Sequence, residues 1–191
     1  MNEIRNPVSA ITVGLDMSLT GTGFCLKAGT KLDACTISTT PRTAENDIAR
    51  LRWIANEMMK RIPTNVSLIC MEDVFMPHSP MQMGSACKLF MLAAVMRMTL
   101  YEKGLPFFIV APTQIKKWVT GSGAGQKSTI MMNVFKKYGV ECKDDNQADS
   151  LVLSVIAESI VQPRDDLTKP QQEVLKAVLA DRPRYNWPKT Q

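Results

Sequence analysis

"AITVGLDMSLTGTGFCLKAGTKLDACTIS", residues 10–38, is the stretch on which the fold turns. AITVGLD is a short apolar run that ends in an acid. GTGFCLKAG and KLDACTIS follow, each of strand length and set off by glycine or lysine punctuation. Three runs so short and so closely joined predict a meander of successive strands. A second acid-ending run, VSLICMED (66–73), is continuous, apolar and too short for a helix between its turn signals, which predicts a strand buried on both faces.

Between and beyond these runs the period changes. TAENDIARLRWIANEMMKRI (43–62) places Ile48, Leu51, Ile54, Ala55, Met58, Met59 and Ile62 at helical spacing, with Thr43 and Asp47 near its start as candidate caps. ACKLFMLAAVMRMTLYEKG (86–104) predicts a helix stopped by Gly104, apolar nearly all round and so in need of cover on more than one face. Arg97 interrupts it, which places it short of a membrane span. PFFIVAP (106–112) predicts another buried strand, TQIKKWVTG (113–121) a short helix or turn, and QKSTIMMNVFKKYG (126–139) an amphipathic helix. KDDNQADSLVLSVIA (143–157) predicts a core helix whose first turn is crowded with acids and amides. From Val161 the chain changes character, through Pro163, Pro170, the helical pattern QQEVLKAVLA and the tail DRPRYNWPKTQ. The expected layout is a main domain over 1–162 and a helical extension over 163–191. Strands, helix, strand, helix, strand, helices is an α/β order: a mixed sheet with a meander at one edge and helical crossovers.

The chain's 191 residues, 45% of them hydrophobic, suffice for one full core. A net charge of +5 and a pI near 9.0 are compatible with an anionic partner, and equally with a solvated basic face. Cys25, Cys35, Cys70, Cys87 and Cys142 are scattered, with no CxxC pair, and His78 is the single histidine, so a thiolate-imidazole zinc site has little to build on. The start, MNEIRNPVS, lacks the basic-then-apolar order of a secretory signal, and a cytoplasmic protein with reduced thiols is expected.

In open α/β sheets function gathers at the carboxyl ends of strands. Asp16 and Glu72 end two predicted strands, and Asp149 stands on the late core helix. Should the two strands be neighbours and the helix cross their ends, the acids converge. Clustered carboxylates repel unless a cation neutralises them, and oxygen donors without imidazole or thiolate suit Mg²⁺ or Mn²⁺.

Four segments carry a resemblance. TVGLDMSLTGTGF, MEDVFM, APTQIKKWVTGSGAGQKSTI and NQADSLVLSVIA resemble, in order and spacing, the motifs of the RuvC family of Holliday junction resolvases over roughly residues 11–160. The resemblance implies a ribonuclease H-like fold with a central mixed five-stranded sheet and helices on both faces. It implies a homodimeric, metal-dependent endonuclease that cuts four-way junctions by paired symmetric nicks, with two Mg²⁺ ions per site and no nucleotide cofactor. It maps metal-binding acids onto Asp16, Glu72 and Asp149, catalytic or DNA-contacting lysines onto Lys116 and Lys127 with Lys117 beside them, and a base-stacking aromatic onto Phe75.

Two departures stand out. The loop after Asp16 reaches its Thr-Gly sooner than in cellular bacterial members, which is closer to phage versions. Asn146 occupies the position three before Asp149 where the family has Asp or His. Alignment favours Asn146 as the fourth ligand. If Asp144 caps the helix and Gln147 completes a capping box, Asp145 is spared for metal as the substitute; if Asp145 is the cap, its oxygen is occupied by backbone N–H groups and Asn146 must serve.

Other readings meet obstacles. GSGAGQKST is near a phosphate-binding P-loop, but Gln126 stands where a glycine should precede the lysine, and TQIKKWVT is no buried strand. The Asp-x-Ser-x-Thr loop is similar to that of sugar kinases, which need two such domains. A branched-DNA nuclease of broader taste and a non-catalytic junction-binding protein remain as alternatives. The methionines Met71, Met76, Met81, Met83, Met91, Met96 and Met98 read as dimer contact or as core filling.

Overall fold

The computed structural model describes residues 9–39, 46–75, 79–124 and 126–180, apart from the side chains of Pro80 and Lys127. β1 (Ile11–Asp16), β2 (Gly21–Ala28) and β3 (Lys31–Ser38) form the expected antiparallel meander. β4 (Leu68–Glu72) pairs in parallel with the free edge of β1, and β5 (Phe107–Val110) pairs in parallel with β4. The sheet order is β3-β2-β1-β4-β5, the mixed five-stranded sheet that the resemblance implies.

Each face has its own core, because side chains alternate along a strand. Val13, Leu15, Ile69 and Met71 point to the face covered by α1 (Asp47–Arg61) and α2 (Met83–Glu102), where they meet Ile54, Met58, Leu92 and Met96. Leu68, Cys70, Phe108 and Val110 point to the opposite face, covered by α3 (Pro112–Thr120), α4 (Lys127–Tyr138), α5 (Asp145–Val161) and α6 (Lys169–Ala180). Val174 and Val178 of α6 are buried in this second core, so the described part of the C-terminal extension packs on the main body.

Several local expectations are corrected. Asn46, not Asp47, caps α1, its side chain accepting a hydrogen bond from the Ala49 N–H at 2.8 Å; Thr43 lies outside the described residues. Segment 113–121 is a full helix, with Pro112 in its first turn and Gly121 in the left-handed conformation at its end. α2 begins at Met83, earlier than predicted, and at 20 residues it is long and apolar enough to cross a membrane by length and composition alone. Instead its Leu92, Ala93, Met96 and Leu100 are buried against the sheet and α1. The interrupting Arg97 ion-pairs with Asp73 at 2.8 Å.

Cys25, Cys70 and Cys142 are buried free thiols, Cys35 is half-buried and Cys87 exposed. Burial pushes the Cys25 thiol up to about 12, so it stays protonated and unreactive.

Candidate active site

Alternation along β1 and β4 reaches its functional consequence at their last residues. Thr12 and Gly14 of β1 face α5, as do Leu68 and Cys70 of β4. Two residues further along each strand, period two turns Asp16 and Glu72 to the same face. The parallel register pairs Leu15 with Met71, so the two acids form the next rank across adjacent strands. A hydrogen bond joins their side chains.

α5 brings the third acid because the sheet beneath it lacks side chains where the helix crosses. A Cβ on Gly14 would fall 1.8 Å from the Ser150 carbonyl oxygen, and one on Gly23 would fall 2.1 Å from that of Asn146. Only glycine lets a helix backbone lie this close to a strand. The Thr12 hydroxyl donates to the Ser154 carbonyl at 2.9 Å and fixes the far end of the contact. Since Asn146 lies over β2 beside Asp16, and Ser154 lies over the start of β1, α5 runs back along the sheet with its N-terminal turn at the acid end.

Asp149 therefore arrives close enough to act on Glu72. Burial pushes the Glu72 carboxyl above its ordinary range; the hydrogen bond with Asp16 pulls it back, the charge of Asp149 pushes it up further, and Lys116 of α3 opposes that. Asp16, Asp149 and Lys116, drawn from three separate elements, thus all act on Glu72 of a fourth. Among the described residues, no three acid, thiol or imidazole side chains stand where together they could hold a metal ion.

The crowded start of α5 sorts itself by hydrogen bonding. Asp144 is the cap: it accepts from the Gln147 N–H at 2.9 Å and from the Thr36 hydroxyl of β3 at 2.7 and 2.9 Å. The Gln147 side chain closes the turn by accepting from the Lys143 N–H at 3.1 Å. Asp145 is the first helical residue, four before Asp149 and so on nearly the same side. Asn146, three before Asp149, lies with its carbonyl over Gly23 and its Nδ2 3.2 Å from where a Gly21 Cβ would stand.

The remaining residues singled out in the sequence divide. Phe75 is 60% exposed, just past Glu72, on a loop where Asp73 both pairs with Arg97 and accepts from the Val74 N–H at 3.0 Å. Lys116 reaches the acids, but its neighbour Lys117 is drawn to α6, where its ammonium meets Glu173 at 2.6 Å. Lys127 opens α4, and its side chain lies outside the described residues, as do Met76, His78 and the tail DRPRYNWPKTQ. Sequence reading missed Glu173 and the two glycines under α5. Gly14 and Gly23 were visible as glycines inside strands, a signal of close backbone approach.

A mixed sheet with acids at the ends of parallel strands, completed by an acid from a crossing helix, is the architecture of the ribonuclease H-like class. The family model for crossover junction endodeoxyribonuclease RuvC matches residues 12–157. A crossover junction endodeoxyribonuclease RuvC from Histophilus somni is 30% identical over 154 residues, covering 76% of this chain and 78% of that protein. The chain belongs to the RuvC family. Among solved structures, Thermus thermophilus RuvC in complex with a Holliday junction substrate superposes with a TM-score of 0.60 at 18% identity, covering 76% of this chain and 90% of that one. The yeast mitochondrial Holliday junction resolvase Ydc2 superposes at 0.54 and 11% identity, covering 90% and 83%.

Proposed function

We propose that this chain is a divalent-metal-dependent endonuclease that resolves four-way DNA junctions, cutting symmetrically across them as a homodimer. The observation that carries the reading is the convergence of Asp16, Glu72 and Asp149 at the carboxyl ends of two adjacent parallel strands in a RuvC-family chain. Such a cluster is costly without a cation, whose charge would offset the repulsion among the acids. Oxygen donors alone fit Mg²⁺, with Mn²⁺ as a substitute; two bound ions would activate water and stabilise the leaving oxygen.

The chain's own residues would divide the work. Asp16, Glu72 and Asp149 hold the ions. With Asp144 engaged as the cap, the fourth ligand comes from Asn146, which alignment favours, or from Asp145 in its place. Lys116, already facing Glu72, opposes the negative charge that develops on the cleaved phosphate, and Lys127 contacts that phosphate. Phe75 stacks on an unpaired base from its exposed loop. Lys117 stands beside Lys116 as a further DNA contact, for which it would exchange its exposed ion pair with Glu173.

α2 supports the homodimer. Cys87, Met91, Ala94, Met98 and Tyr101, spaced alternately four and three apart, form an exposed seam along its outer side. Met91, Met98 and Tyr101 are 44, 62 and 63% exposed. That is the spacing by which a helix packs on a second copy of itself, and two-fold symmetry places two sites on a pseudo-symmetric substrate. The reading implies action in the cytoplasm of a bacterial or phage-infected cell.

The test is incubation of the protein with a synthetic four-way junction, a flap and a plain duplex, with Mg²⁺ or a chelator, beside Asp16→Asn. Mg²⁺-dependent paired nicks in the junction, lost in Asp16→Asn, are expected. Equal cutting of flaps would widen the substrate class, and no cleavage of any branched substrate would sink the reading.

A further inference from the structure

Arg50 is only 9% exposed, although an arginine charge is costly to bury. It stands on the first turns of α1 and reaches past the core to the polypeptide just after Asp16. Its Nη2 donates to the Leu19 carbonyl and, at 3.4 Å, to the Thr39 carbonyl; its Nε donates to the Thr39 hydroxyl at 2.9 Å. Thr39, just past the end of β3, repeats the grip: its hydroxyl donates to the same Leu19 carbonyl at 2.7 Å, and its N–H to the Thr20 carbonyl at 3.1 Å. Two segments, the start of α1 and the residue just past β3, are thus tied to the four-residue link between Asp16 and Gly21.

The link is held from within as well. The Thr22 hydroxyl donates to the Ser18 carbonyl at 2.6 Å, and the Met17 side chain is buried in the core on the α1 and α2 face. The β ladder fixes Asp16 from one side, and Arg50 and Thr39 fix the link on its other side. We propose that Arg50 is a positioning residue for the nuclease reaction: with Thr39 it locks the loop after Asp16, and so the placement of the Asp16 carboxylate at the acid cluster. The inference rests on the proposed nuclease activity. A two-pronged donor is needed because Nε and Nη2 serve two different oxygens at once, a fork that a lysine ammonium on a flexible stem does not reproduce. Reacting groups misplaced by about 1 Å lose on the order of 100-fold in rate, which sets the scale of the effect.

The experiment uses the full chain, wild type and as Arg50→Lys and Thr39→Val, on a four-way junction with Mg²⁺ titrated. Three quantities are read: the single-turnover cleavage rate, the Mg²⁺ concentration at half-maximal rate, and amide hydrogen exchange along the chain. Arg50→Lys is expected to cleave about 10- to 100-fold more slowly, to need more Mg²⁺, and to exchange faster in residues 17–21 with β4 and α5 still protected. Thr39→Val is expected to move all three the same way by less. Wild-type rates in both variants overturn the proposal, and so does a loss of rate accompanied by faster exchange across the whole sheet in both, which marks a merely structural role. If the wild type cleaves no branched DNA, the nuclease reading falls and this inference with it; if it cleaves and both variants match it, only the inference falls.

Discussion

α5 and α2 read alike in the sequence, yet the fold treats them in opposite ways. Both are long, apolar and without a clear polar face. α5 buries nearly every residue from Gln147 to Ser159, because the sheet lies under it and α3, α4 and α6 pack around it. α2 buries Leu92, Ala93, Met96 and Leu100 and leaves Met83, Met91, Met98 and Tyr101 in solvent. One apolar helix is finished within the chain, and the other waits for a surface outside it. The finished helix carries Asp149, the proposed metal-binding acid, where displacement would be ruinous; the unfinished one carries the proposed two-fold contact.

Substitutions should break this contrast unequally. Gly14→Ala attacks the tightest contact of α5, since the new methyl would collide with the Ser150 carbonyl rather than with a side chain that can move. A loss of at least about 3 kcal/mol is expected, seen as a largely unfolded chain by circular dichroism. Asp149→Asn, on the same helix, should leave the melting temperature unchanged or higher by easing repulsion on Glu72, while junction cleavage falls about 100- to 1,000-fold.

A third prediction concerns acid repulsion in the protein freed of divalent cations. Burial raises the Glu72 carboxyl in the folded state above its ordinary 4.5. Below that value it is protonated whether the chain is folded or not; as pH rises the unfolded chain ionises first, so Glu72 progressively disfavours the folded state until its own raised value is passed. Chemical denaturation in chelator should show stability falling over that window. Glu72→Gln should flatten the fall, and Mg²⁺ should reverse it.

The smallest effect on the protomer is expected on α2. Met98→Lys adds a charge where the side chain is already 62% exposed, so protomer stability should shift by no more than about 0.5 kcal/mol. Sedimentation should nonetheless show the dimer dissociating. A dimer that survives Met98→Lys unchanged would place the interface elsewhere and leave the exposed seam unexplained.

The legibility of this fold follows the range of the interactions involved. The meander, the two buried parallel strands and the acids at their ends were readable, because alternation and turn punctuation are local. The strand ends shift by a residue or two, as at β4, where Val66 and Ser67 lie outside the ladder. The helix over 113–121 was ambiguous as a short segment, and became definite once Ile115, Trp118 and Val119 had a core to enter. The methionines could not be sorted in advance: Met71 and Met96 are fully buried, while Met81 is 92% exposed. Thioethers serve both settings, so composition does not separate them.

The amino-acid sequence by itself determined which segments become strands and helices, that Asp16 and Glu72 end strands, and that Asp149 rides an apolar helix, since each depends on periodicity and near neighbours. The tertiary structure alone decided what each polar group is for. Asp144 became the cap because Thr36 and the Gln147 amide meet it there. Lys117 received Glu173 as its partner from a helix some fifty residues later, and Arg50 was carried to the loop after Asp16 by the crossing of α1. The role of a charged side chain is set by the partner within its reach, and partners are assigned by packing between elements far apart along the chain.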